Sequence, residues 1–306
     1  MLDTNIMENN TAKHFALQLG SLASLYLSLS FLLVLLFGVI NLAFPDATDG
    51  PWDIERASSG IRVAFAMVIV FFPTYLTLTR LVNNNRRQET GGQYLSLTKW
   101  LIYLSLLVGG AVLLGDLVAV IITFLEGEIT TRFILKTLVV LVIIGCAFVY
   151  YLKDAKGYWV ENEKKSTVFG MIASLVVAAS LVIGFIYTEK PSEVRERKLD
   201  DQQISDLQDI QFYIEDYYRV NNALPSTLNE LYGGLPIPAA PEGRADYEYL
   251  VGDETSYALC ATFVEESLQN AASRYPYTAY EKNYNWDHPS GYWCFERAVE
   301  AKLTIE

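Results

Sequence analysis

The stretch VFGMIASLVVAASLVIGFIY (residues 168–187), followed by TEKP (188–191) and SEVRERKLDDQQISDLQDIQFYIEDYY (192–218), decides how this chain is built. About twenty apolar or small residues in succession are enough for a helix to cross the hydrocarbon core of a bilayer. Beyond Pro191 the apolar residues thin out to Ile204, Leu207, Ile210, Ile214 and Tyr217 or Tyr218, at spacings of three and four, with acids and amides between them. That spacing predicts an amphipathic helix with one buried face. The first segment suits lipid and the second suits water, so the seam at 188–191 divides the chain.

Upstream of the seam the sequence reads as membrane. In an N-terminal tail (1–14) the first 12 residues are polar and expected to be disordered, and spans are expected at about 15–44, 61–82, 100–125 and 133–152, with the fifth at 168–188. The first apolar run is too long for a signal-peptide core and lacks a small-residue cleavage site, so it is expected to stay in place. Pro73 lies inside the second span, where a neighbouring group must satisfy the freed backbone. Residues 45–60, 83–99 and 153–167 are expected to be loops. The turn EGEITTR (126–132) is short enough to force an antiparallel hairpin.

Charge orients the bundle. Lys13, Arg80, Arg86, Arg87, Lys99, Lys153, Lys156, Lys164 and Lys165 fall on one side, and only Arg56, Arg62, Arg132 and Lys136 on the other. The richer side is expected to be cytoplasmic, which puts the N-terminus inside and the tail outside. The formal net charge of −12 is carried by the tail: from Glu189 onward there are 22 acidic and 10 basic residues. So acidic a tail argues against nucleic acid as a partner. Outside the cytoplasm disulfides persist, so Cys260 and Cys294 are expected to pair. Closing a loop of that length contributes roughly 3–4 kcal/mol in the chain-entropy picture. Cys146 lies inside an apolar run and reads as a small hydrophobe.

Within the tail (189–306), Pro225-Ser226-Thr227 opens a short helical turn through Leu231. DYEYLV (246–251), a GDET turn and SYALCATF (256–263) read as a two-stranded hairpin. The final CFERAVEAKLTI adds a strand or a helix. The order DLQDIQFYIEDYYRVNNALPSTLNELYG, then a Tyr-x-Tyr hairpin, then a cysteine-bracketed loop resembles type IV pilins and type II secretion pseudopilins, over about residues 200–263. The residue after Gly170 is Met171, and Ser174 stands where pilins carry a glutamate. The resemblance therefore implies a stem and head, without leader processing. Residues 12–159, through Gly115-Asp116 and FLEGEITTRFILK (124–136), resemble a bacterial family of four-span integral membrane domains to which no activity is attached. The expected fold is thus a membrane α-helical bundle of five transmembrane helices with a small C-terminal extracytoplasmic α+β pilin-like domain.

Several residues stand out as candidates. Asp116 is a carboxylate halfway along the third span, where an ionised acid is costly unless paired or wet. It is either a proton- or ion-coupling group or a structural acid, with Arg62 and Arg132 as prospective partners. Glu126, Glu128, Arg132 and Lys136 form a charged turn. Gly109, Gly110 and Gly115, and Gly170, Ser174 and Ala178, offer small surfaces for helix packing. Tyr275, Tyr277, Tyr280, Tyr284, Trp286, Tyr292 and Trp293 are either a binding surface or the core of a small domain. His288 reads as a surface histidine. No catalytic residue, metal set or cofactor motif is expected, and an enzyme is not expected. The expected role is a structural or interaction component of the bacterial envelope in the inner membrane, in contact with lipid, with pilus or secretion proteins, or with copies of itself. The alternative is a small transporter or sensor subunit that uses Asp116.

Overall fold

The computed structural model describes residues 2–46, 49–88, 92–127, 129–232, 236–267 and 283–299. It divides into two compact units, the first ending at Thr188 and the second holding residues 189 onward. The chain is mostly helical, with five long apolar helices and a small three-stranded sheet near its C-terminal end.

The first unit contains α1 (Leu2–Ala43), α2 (Pro51–Gln88), α3 (Gly92–Glu126), α4 (Thr131–Ala155), the single turn α5 (Tyr158–Glu161) and α6 (Glu163–Ile186). All but α5 are long and apolar enough to cross a membrane. Helix α1 starts at Leu2, inside the segment expected to be unstructured. Helix α2 starts at Pro51, ten residues earlier than expected, with proline in the first turn and Asp53 beside the positive helix end. It also runs on through Gln88, so most of the expected 83–99 loop is helix in α2 and α3. At Pro73 the hydroxyls of Thr74 and Thr77 donate to the carbonyls of Val70 (2.7 Å) and Pro73 (2.8 Å), and the helix continues. The Thr130 hydroxyl accepts from the Phe133 amide and caps α4.

Leu35, Val39, Ile61 and Ala64 form one core cluster, and Leu32, Val68 and Val177 form another. Close approach is set by glycines the sequence did not single out. A Cβ on Gly38 would lie 2.6 Å from Ile61, and one on Gly184 would lie 3.1 Å from Leu35. Gly115 and Gly170, expected at helix contacts, would meet nothing within 4 Å. Much of the surface of α3, α4 and α6 is instead uncovered hydrophobe: Leu107, Leu125, Leu175 and Ile186 are each more than two-thirds exposed.

Helix α6 stops at Ile186 and α7 (Pro191–Asn221) begins at Pro191, so the helical run is broken at residues 187–190. Proline at the first helical position and the Glu193 carboxylate accepting the Lys190 amide start the new helix. After α8 (Leu228–Tyr232) come β1 (Glu248–Val251), β2 (Ser256–Phe263) and β3 (Gly291–Ala298), in the antiparallel order β1-β2-β3. The last segment is therefore a strand. Leu207, Ile210 and Ile214 of α7 pack on Tyr257, Leu259, Ala261 and Phe263 of β2 and on Phe295 of β3. Cys260 and Cys294 face each other in the β2–β3 register and are joined as a disulfide.

Candidate functional site

The first unit holds a polar centre inside an otherwise apolar bundle. Along α2, Tyr75, Thr79, Asn83 and Arg86 recur at spacings of three and four, so they share a face. Across from them stand Tyr150, Tyr151 and Asp154 of α4. Arg86 donates through Nη1 to Asp154 Oδ1 at 2.7 Å, with both side chains more than nine-tenths buried. The same nitrogen donates to Asn83 Oδ1 at 3.4 Å. Ser21 of α1 and Thr79 share a hydroxyl bond of 2.8 Å. The Tyr75 hydroxyl interacts with Thr79, Tyr150 and Tyr151, and the Tyr150 hydroxyl with Asn83. Gln18, Ser21, Thr79, Asn83, Arg86, Ser105, Tyr150, Tyr151 and Asp154 line a cavity of about 30 Å³, room for about one water. Arg86 Nε is buried without a partner among the described residues, as a water-sized hole beside it would allow.

The neighbouring Arg87 extends this centre. Its Nε and Nη2 donate to the carbonyls of Val160 (3.2 Å) and Trp159 (3.3 Å), and its Nη1 lies 3.2 Å from Glu163. Thus Arg86 ties down the end of α4, and Arg87 holds the α5–α6 connection. Trp159 donates its indole N–H to the Tyr150 carbonyl at 2.9 Å and stacks on the Tyr150 ring. The segment expected to be a basic loop is in fact a folded corner. A buried ion pair of this kind is costly to break, because removing one partner strands the other charge in a low dielectric. Chemically it can fix the packing of α2 against α4, or exchange a proton or water through the cavity.

The sequence candidates fall elsewhere. Asp116 is half-buried on α3 and makes no hydrogen bond or ion pair with any described residue. Arg132, expected as its partner, points to the end of α1 instead. Its Nε donates to the Phe44 carbonyl (3.0 Å) and its Nη2 to the Asn41 carbonyl (3.2 Å), the cation a helix C-terminus favours. Arg62 is half-buried on α2 and is likewise not brought to Asp116. Lys136 lies over the Phe37 ring, while Glu128 lies outside the described residues.

In the second unit the aromatic set is divided. Tyr275, Tyr277 and Tyr280 lie outside the described residues. Trp286 packs against the core and carries the Arg297 guanidinium 4.3 Å above its ring, whereas Tyr284, Tyr292 and Trp293 are exposed. Trp286, Tyr284 and Phe212 border a shallow groove of about 310 Å³ with Gln208, Gln211 and Glu215. Arg297 also donates to Gln211 Oε1 and to the Asn285 carbonyl, and burial draws its pKa down to about 10. His288 is buried, contrary to the surface position expected. Its ring stacks on Phe263 with centroids 3.7 Å apart, and Nδ1–H donates to the Pro289 carbonyl. Burial lowers its pKa. The largest ionic cluster here also went unread. Buried Asp200 accepts from Arg244 Nη2 (2.8 Å) and from the amides of Val264 and Glu265, and Arg244 also reaches Glu196 at 2.9 Å. Among the described residues no group of three or more His, Cys, Asp or Glu side chains is placed to hold a metal.

Residues 14–151 match the family model described as Domain of unknown function (DUF5671). The matched stretch runs from the middle of α1 nearly to the end of α4 and stops three residues short of Asp154. No curated protein and no solved structure matches the chain, and nothing in these comparisons supports the pilin-like likeness of the tail or the assignment of the first unit to a four-span membrane family.

Proposed function

We propose that this chain is a multi-pass inner-membrane protein that displays a disulfide-closed head outside the cytoplasm, as a structural or interaction component of the bacterial envelope. The observation that carries the reading is the uncovered apolar surface of α3, α4 and α6. In water so large a surface would associate, and in lipid it is at home. The cysteine bridge of the second unit suits an oxidising compartment. The packing of one long amphipathic helix against an antiparallel sheet supports a pilin-like stem and head. The proposed partners are lipid, other envelope, pilus or secretion proteins, or further copies of the chain, and no catalytic step is assigned.

Carbonate washing of native membranes and thiol labelling of intact cells test the proposal. The chain is expected to stay in the membrane, and Cys260 and Cys294 to label from outside only after reduction. Release into the wash, or labelling of free thiols at those positions, would overturn it. Co-purification from native membrane then identifies the partner.

A second reading, a small transporter or sensor subunit, is favoured by the half-buried Asp116, which has no partner among the described residues. Replacing Asp116 by Asn separates the two readings: a lost ion- or proton-linked phenotype at unchanged stability supports the second.

A further inference from the structure

Helices α2 and α6 do not close on each other along their whole length. Between them lies a groove of about 640 Å³. Its α2 wall carries Thr77, Arg80, Asn84 and Arg87, at positions i, i+3, i+7 and i+10, a single stripe of the helix. Its α6 wall carries Ser166, Gly170 and Ser174, at i, i+4 and i+8. A side chain built on Gly170 would meet nothing within 4 Å, so these small residues border open space rather than a helix contact. Phe169, Met171 and Leu76 add apolar surface to the same walls.

A surface that meets only acyl chains is expected to be apolar. Here Thr77, Arg80 and Asn84 are all exposed. Arg87 is already engaged by Glu163. Arg80, in contrast, makes no hydrogen bond or ion pair with any described residue. An arginine left unpaired on a membrane-facing groove seeks an anion, and its planar fork suits phosphate. Asn84 offers a further hydrogen-bond donor about one turn along the helix, whereas the Thr77 hydroxyl is already spent on the Pro73 carbonyl.

From this groove we infer a binding site for an acidic phospholipid, its phosphate on Arg80 and its acyl chain along the small-residue stripe of α6. Basic pockets between spanning helices, at the end of the bundle rich in Lys and Arg, recognise such head groups. The inference rests on the membrane reading above.

The test is native mass spectrometry of the full-length protein, extracted from vesicles of mixed phosphatidylglycerol and phosphatidylcholine, with retained lipid counted. The wild type is expected to keep phosphatidylglycerol in preference to phosphatidylcholine. Arg80→Gln is expected to lower that retention by about fivefold, the share of one interfacial arginine. Gly170→Leu, which fills the groove and leaves the charge, is expected to lower it as well. Arg80 is exposed, so its variant does not depend on repacking. Equal retention of the two lipids, or unchanged retention in either variant, would overturn the site. Displacement of the lipid by inorganic phosphate alone would overturn the lipid assignment. A protein that never enters the vesicles fails the membrane reading instead, and the two failures are distinguishable.

Discussion

The two units each bury an arginine against an aspartate, and they satisfy the charges differently. In the bundle, Asp154 receives one bond from Arg86 and a small cavity lies alongside; the Nε of Arg86 and that of Arg244 in the head are alike in lacking a partner among the described residues. In the head, Asp200 accepts from one guanidinium and two backbone amides, and Arg244 has Glu196 as a second carboxylate. The head pair is held by redundant bonds, and the bundle pair depends on a single one. Redundancy marks a fixed joint, whereas a lone pair beside a water-sized hole leaves room for exchange.

The largest expected effect follows from that difference. Arg86→Gln or Asp154→Asn should each destabilise the bundle by about 3–5 kcal/mol, because the remaining partner stays buried and unpaired. The double change Arg86→Met with Asp154→Leu should recover most of this loss in detergent melts. If the single variants melt like the wild type, the pair is not what joins α2 to α4. Opening the head disulfide with Cys260→Ser and Cys294→Ser should cost roughly 3–4 kcal/mol, read as a lower denaturation midpoint of the head. Asp200→Asn should cost less, about 1.5–3 kcal/mol, since Glu196 still faces Arg244. A loss as large as that of Asp154→Asn would remove the contrast between the two centres.

A smaller effect depends on pH. Burial depresses the His288 pKa in the folded head, so between the folded and unfolded values the unfolded chain binds more protons. Head stability should therefore be full above the unfolded histidine value of about 6.5 and fall as pH drops below it. His288→Phe should flatten that dependence, measured as melting temperature against pH. The smallest effect is expected at Asp116: Asn there should change stability by less than about 0.5 kcal/mol, since the carboxylate holds no partner among the described residues.

Local patterns announced much of this architecture. Apolar runs of spanning length gave five long helices, the three-and-four spacing after Pro191 gave α7, and the alternating SYALCATF gave β2 with its Cys260–Cys294 bridge. The polar centre was legible only in part. Thr79, Asn83 and Arg86 continue one helical face beyond an apolar run, and Asp154 closes another. Read as polar ends of spans, these residues look like solvated loops. Arg132 shows the same limit, since its role is set by the carbonyls of Asn41 and Phe44, some ninety residues away in sequence.

Periodicity and length are properties of neighbouring residues, so the sequence by itself determined the five long apolar helices, α7 and the β1–β2 hairpin. The early start of α1, the helical ends of α2 and α3 and the choice of strand for β3 came only with the structure. Whether a charged residue faces water or a buried partner depends on which helices lie side by side. Only the tertiary structure joined Arg86 to Asp154, left Asp116 without a partner among the described residues, and opened the groove beside Arg80. The free energy of a charge is set by the dielectric and the partners around it, and both are assembled from distant parts of the chain.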